Sequence, residues 1–318
     1  MLGLGNDHIW TGYGIIEGNF VAGMTDSLRI AQLNCGSLLE PNWLGRRREI
    51  VAWLEQLDPD VVCLQEVWED PNTPNTAGWL AEQMGENRWH WDFGGSPFAS
   101  SLWPDASLRF GSAILSRWPI DTCTYHRLPV VADDPDPLPS GAPWELLHAQ
   151  TAGLDVFSTH LAAAPTHGRH RRLQVLAIDD LIRSARGESD ALAFGRKRES
   201  MPPILCGDFN AEPESDEIRF LSSLTVLNDR TTFYQDAWRV AGDGPGWTQD
   251  WRSNPIAASM NVHRKRIDYV FVGDPFQRSG DGGRVLRAEL AFHLPLTGVL
   301  ASDHCGLVVD VLWPGRPA

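Results

Sequence analysis

The chain has 318 residues, 42% of them hydrophobic and 21% charged, with 14 tryptophans and a formal net charge of -14. That length and apolar content suffice for one large domain or two ordinary ones. The acidity argues against a surface that holds duplex nucleic acid mainly by general electrostatic attraction.

In chain order, residues 1–27 are expected to form an N-terminal extension and 28–318 a single domain. The first 23 residues carry Asp7 and Glu17 and lack the basic start and apolar stretch of a secretion signal. No run reaches the roughly 18 apolar residues of a membrane span, so a cytoplasmic protein is expected. Leu28–Cys35 reads as a strand. Arg46–Leu57 places Ile50, Trp53, Leu54 and Leu57 at helical spacing, and Asp58-Pro59 ends that helix. Val61–Gln65 is a short apolar run of buried-strand type that leads into Glu66. Further strands are predicted at Phe110–Leu115, Asp155–Thr159, Ile204–Gly207, Arg266–Val272, Val285–His293 and Leu307–Leu312. Further helices are predicted at Thr76–Met84, Arg169–Ser184 and Ser215–Ser222. Loops fall at Asp70–Asn75, Gly94–Ser107, Ala132–Pro143, Gly187–Pro203 and Ala241–Asn261, the last three long enough for functional lids or mobile connections. This mixture predicts an α/β or α+β sandwich. Cys35, Cys63, Cys123, Cys206 and Cys305 are odd in number and include no CxxC pair. They are expected to be reduced, with no zinc-ligand spacing among them.

Several apolar runs end in a polar residue suited to metal or phosphate chemistry: "IAQLNC" in Asn34, "VVCLQEV" in Glu66, "VFSTHL" in His160, "ILCGDFN" in Asp208 and Asn210, "RIDYVFV" with Asp268, and "ASDHCGL" with Asp303 and His304. One such end is ordinarily a turn former; six together suggest strand ends converging on one cleft. On an extended chain Asp208 and Asn210 would share a side. Carboxylate and amide oxygens without thiolates are hard ligands that favour Mg²⁺ or Mn²⁺, and Asp268 and His304 are natural candidates for an oriented general base.

This set, with "LQE", "STHL", "GDFNAEP", "IDYVF" and "SDH" in order, resembles the endonuclease/exonuclease/phosphatase (DNase I-like) superfamily over about residues 28–312. The resemblance implies a four-layered sandwich, two central mixed β-sheets flanked by helices, with the active site at one edge. It implies Glu66 as the principal Mg²⁺ ligand, Asn34 in the metal-side shell and Asp303 assisting metal binding. Asp208 and Asn210 match the pair that positions the attacking water and contacts phosphate oxygen. His304 matches the general base, oriented by Asp268, and His160 matches a phosphate-contacting histidine that stabilises the transition state. "GSAILSRWPI" resembles a strand-to-turn segment of the family, where Arg117 is either a phosphate contact or a surface arginine. Two departures stand out: Cys35-Gly36 follows Asn34 without the acidic residue of some apurinic endonucleases, and Ser112 stands where members often have Asn.

Substrate is less legible. Basic clusters at Arg46–Arg48, Arg169–Arg172, Arg196–Arg198 and His263–Arg266 are either solvated faces or, for the last three, flanks of the cleft. Arg169 and Arg266 are the candidate phosphate contacts among them. Trp247 and Trp251 either stack on a substrate or pack their loop. The expected activity is hydrolysis of a phosphate ester by a monomeric Mg²⁺ (or Mn²⁺) phosphodiesterase of nuclease type acting on nucleic acid or a nucleotide. The alternatives are a phosphatase or sphingomyelinase-like phospholipase on a phosphorylated metabolite or lipid, and a catalytically silent scaffold, against which retention of all eight site residues argues.

Overall fold

Apolar side chains alternate along the first strand, β1 (Ser27–Asn34), and the alternation sends them to two different cores. Leu28 and Ile30 pack with Val61, Cys63, Ile114, Val156, Ile204 and Val270 between two sheets, whereas Ala31 and Leu33 pack with Ile50, Trp53, Leu54 and Leu80 beneath helices. This computed structural model describes residues 26–85, 88–98, 107–133, 144–187, 200–260, 263–273 and 278–317, so all but the last two residues of the expected extension lie outside it.

The first sheet contains β1, β2 (Val61–Glu69), β3 (His90–Pro97), β4 (Arg109–Ser116), β11 (Val285–Ala291) and β12 (Gly306–Leu312), ordered β11-β12-β1-β2-β4-β3. The second contains β5 (Ile120–Arg127), β6 (Glu145–Thr151), β7 (Leu154–His160), β8 (Ile204–Asp208), β9 (Tyr234–Asp236) and β10 (Asp268–Gly273), ordered β5-β6-β7-β8-β10-β9. Helices α1 (Trp43–Leu57) and α2 (Thr76–Gln83) cover the first sheet; α3 (Gly168–Ala185) and α4 (Asp216–Leu221) cover the second. The four layers are those the resemblance implied. Among the described residues no helix is long and apolar enough to cross a membrane, and the five cysteines are unpaired.

Two pairs are parallel, β1 with β2 and β7 with β8, and each is joined through a helix, so both strands of a pair finish at the same edge. Asn34 lies beside Gln65, and His160 beside Asp208. Antiparallel β10 begins at that edge, with Asp268 directly across from Asp208.

Four strands and two helices escape the sequence pattern: β3, β5, β6, β9, the short α5 (Ala237–Ala241) and α6 (Pro255–Met260). Residues of β5 are at best half-buried, as befits a sheet edge, so no apolar run announces it. The Gly94–Ser107 loop begins later than expected, because Gly94 and Gly95 belong to β3. Within Ala241–Asn261 lie α6 (Pro255–Met260) and a ladder contact from Gln249 to Lys265.

Close approach of β7 and β8 is what Gly207 permits: a Cβ there would sit 2.1 Å from the Thr159 carbonyl oxygen. Gly207→Ala is expected to destabilise the protein by about 1–3 kcal/mol through overpacking. Urea unfolding checks this, and an unchanged midpoint would refute the tight approach.

Candidate active site

Asn34 ties the two sheets together. Its amide nitrogen donates to Glu66 Oε1 (3.1 Å) and Asp208 Oδ2 (3.0 Å), while its amide oxygen accepts from Gly36 N (3.0 Å). Glu66 reaches that position through a bulge: the β2–β4 register shifts between Leu64 and Val67, and Glu66 has a left-handed φ of 57°. Strict alternation after Gln65 would have turned Glu66 toward the helix side with Leu64, and the bulge re-aims it. The Ser37 hydroxyl donates to the Glu66 carbonyl.

Asp208 and Asn210 meet differently from the extended-chain expectation. β8 ends at Asp208, and Asn210 has a φ of 49°, so the two side chains do not project in parallel. Instead the Asn210 backbone N–H donates to Asp208 Oδ1 (2.8 Å) and its side-chain amide to the Leu161 carbonyl (3.0 Å), an Asx-type turn that fixes the carboxylate. His160 Nε2 lies 3.5 Å from Asp208 Oδ2, with Trp144 edge-on to its ring.

Opposite them stands the histidine pair. His304 Nδ1 is 2.8 Å from Asp268 Oδ2, while His304 Nε2 lies 3.9 Å from Asp208 Oδ2 and 3.7 Å from Asp303 Oδ2. Two residues missed in the sequence complete the arrangement, although both follow directly on Trp247 in the chain, as Thr248 and Gln249. The Thr248 hydroxyl accepts from Ile267 N and Asp268 N and its carbonyl from Cys305 N, which fixes Asp268 relative to His304. Gln249 Nε2 donates to Asp303 Oδ2 (3.0 Å) and faces His304 Nε2 at 3.4 Å.

Burial would lower the His304 pKa, but Asp268, Asp303 and Asp208 outweigh it and raise the value well above the ordinary imidazole range. Burial holds Glu66 and Asp208 above the usual carboxylate range, with nearby Asp303 and Asp268 respectively adding to it. For Asp303 burial acts upward, but His304 and three side-chain hydrogen bonds bring it below that range.

The arginines stand elsewhere. Arg117 sits at the opposite end of the first sheet, where Ser116 pairs with Val61, ion-paired with Asp58 and stacked on Trp89. Arg266 is buried, ion-paired with Asp236 at 2.8 Å and lying over the Tyr269 ring. Arg169 is exposed and 3.6 Å from Asp133. Their described partners lie outside the carboxylate–histidine cluster. Trp247 lies beneath Arg264, which forks onto Asp250, and Trp251 is more exposed, beside Arg252. Arg196–Arg198 fall outside the described residues.

Two arginines from the presumed solvated clusters are interior. Arg171 donates to the carbonyls of Ala162 and Ala164 and pairs with Glu217, bracing the turn after His160. Arg46 donates to the carbonyls of Pro41, Cys35, Ala301, Gly36, Ser37 and Glu40. It thereby locks the loop after Asn34 to the segment before Asp303. Its carboxylate neighbour Glu40, 3.4 Å away, accepts from Asp303 N, and burial pushes the Glu40 pKa up to about 10.

Two facing sheets whose strand ends gather carboxylates, amides and two histidines define a hydrolase of the DNase I-like class. Residues 31–304 match the Endonuclease/Exonuclease/phosphatase family, and the chain belongs to it. No curated protein matches by sequence. Among solved structures, an endonuclease/exonuclease/phosphatase from Beutenbergia cavernae is similar at 22% identity and TM-score 0.63, covering 92% of this chain and 73% of that one. D. rerio TDP2 complexed with single strand DNA product aligns at 18% identity and TM-score 0.62, over 90% of this chain and 98% of its own. The human Nocturnin catalytic domain with bound sulfate aligns at 20% and 0.60, over 90% and 94%.

Arg46→Met is expected to cost about 3–5 kcal/mol, since it leaves several buried carbonyls without a donor. Chemical denaturation measures this, and a loss under about 1 kcal/mol, the scale of one ordinary hydrogen bond, would show that the loop does not depend on Arg46.

Proposed function

We propose that the chain is a Mg²⁺- or Mn²⁺-dependent phosphodiesterase of nuclease type, in which His304 activates the attacking water. The observation that carries this reading is the 2.8 Å contact between His304 Nδ1 and the fully buried Asp268, which leaves Nε2 to take the proton. Asp268 then stabilises the imidazolium. Asp208, fixed by the Asn210 turn, orients the water, and Asn210 contacts a phosphate oxygen. His160, partly exposed above Asp208, donates to the charge that develops on phosphorus-bound oxygen.

The donor set fits a hard divalent cation. Buried oxygens dominate it, and Glu66 and Asp208 are carboxylates whose charge burial disfavours. Ligand atoms of Asp208, Asp268 and His304 lie within 4.8 Å of one another. Both Asp268 oxygens, however, are engaged by Gln32 and His304, so Glu66, assisted by Asp303, is the better holder. Asn34 turns its nitrogen to Glu66 and orients that carboxylate rather than ligating. When bound, such an ion neutralises charge on a phosphoryl oxygen and on the leaving oxygen. The single-strand DNA product held by D. rerio TDP2 supports a nucleic-acid or nucleotide-type diester as substrate.

Hydrolysis of bis-p-nitrophenyl phosphate is expected to exceed that of p-nitrophenyl phosphate, to stop in EDTA and to return with Mg²⁺. A faster monoester would make the enzyme a phosphatase, and no turnover with any divalent ion would sink the hydrolytic reading. His304→Ala should lower kcat by about 10²–10⁴ without unfolding the chain. Because surrounding carboxylates hold the His304 proton, the base is lost on acidification from a pKa above the ordinary 6.5. The acidic limb of kcat/KM should therefore lie above that value, and a limb below it would point to another base.

A further inference from the structure

Gln32 occupies the inter-sheet face of β1, two residues past Ile30 and two before Asn34, and is completely buried. Its amide nitrogen donates to Gln65 Oε1 (2.7 Å) and to Asp268 Oδ1 (3.1 Å). Gln65 Nε2 donates in turn to the Ser158 hydroxyl at 3.1 Å. This chain of amides spans the sandwich from β1 and β2 to β7 and β10, and it ends on the one Asp268 oxygen that His304 does not use.

The orientation of the Gln32 amide is decided by its neighbours. Reversing it would set its oxygen against two acceptors, Gln65 Oε1 and Asp268 Oδ1. As placed, that oxygen is buried without a hydrogen-bond partner. An unsatisfied buried acceptor is costly, so the site sacrifices the oxygen to keep the donor. A carboxylate with one oxygen on His304 and no donor on the other is able to rotate about its final torsion, which is broad for Asp. Gln32 removes that freedom.

We propose that Gln32 is a positioning residue for the base: it locks the rotation of the Asp268 carboxylate and so holds His304 Nδ1 and directs Nε2 at the water. The inference rests on the roles given above to His304 and Asp268. It concerns kcat rather than binding, since Gln32 touches neither the cleft surface nor a phosphate-contacting side chain.

The test is a double-mutant cycle on bis-p-nitrophenyl phosphate, with circular dichroism melts as the check on folding. Gln32→Met, which keeps length without a donor, should lower kcat about tenfold to hundredfold, the range for a hydrogen bond to a charged group, with KM changed less than about twofold. In an Asp268→Ala background, where no carboxylate remains to orient, the same substitution should cost nothing further. Should the Met variant fail to fold, Gln32→Asn, which keeps the amide but falls one methylene short, carries the same expectation. Unchanged kcat, or equal losses in both backgrounds, would overturn the proposal. An Asp268→Ala enzyme with normal kcat would instead overturn the role of the His304–Asp268 pair, a separate failure.

Discussion

Asp208 and Asp268 face each other across β8 and β10, each almost without exposure. Two carboxylates in that seam repel one another and lose hydration, so the protein must surround them with donors. His304, His160 and Asn34 gather there, as do Gln32 and the Asn210 backbone. The elements that supply these donors are held in place by that requirement, and much of the site's geometry is its consequence.

The same face of the same strands does two jobs. On β1 the inward series runs Leu28, Ile30, Gln32, Asn34; on β7, Val156, Ser158, His160; on β8, Ile204, Cys206, Asp208. Apolar residues cement the sheets at one end, and polar ones replace them toward the edge where the strands stop. Gln32, Gln65 and Ser158 form the transition layer, joining the dry core to the charged cleft through hydrogen bonds rather than packing. Rigidity of the core thus reaches the carboxylate–histidine cluster directly.

Loops are held by a different device. Arg46 spends its guanidinium on backbone carbonyls, and Arg171 does so on the turn after His160. Both support the polypeptide on which site residues ride, without reaching the cleft themselves. Glu40, lodged beneath Gly36 so that no Cβ would fit there, links the Arg46 loop to the backbone of Asp303.

How much of this was legible depends on whether a residue's role follows from its own strand. Apolar runs marked every interior strand except β6, and their polar ends pointed to Glu66, His160, Asp208, Asp268 and His304, because such runs and their termination are local properties. Edge strands such as β5 carry no apolar run, since one side of their ladder and most of their side chains meet solvent. Asn210 departed from the i, i+2 expectation because the chain turns left-handed after Asp208. The arginines stayed open in the sequence for a related reason: composition marks a basic cluster, but only the folded chain shows that Arg46 finds six carbonyls and Arg117 lies at the far end of its sheet. By itself the sequence determined most interior strands, the polar residues at their ends and the family. Tertiary structure decided which groups meet and which oxygen each donor serves, because those contacts join residues hundreds of positions apart, where no local periodicity reaches.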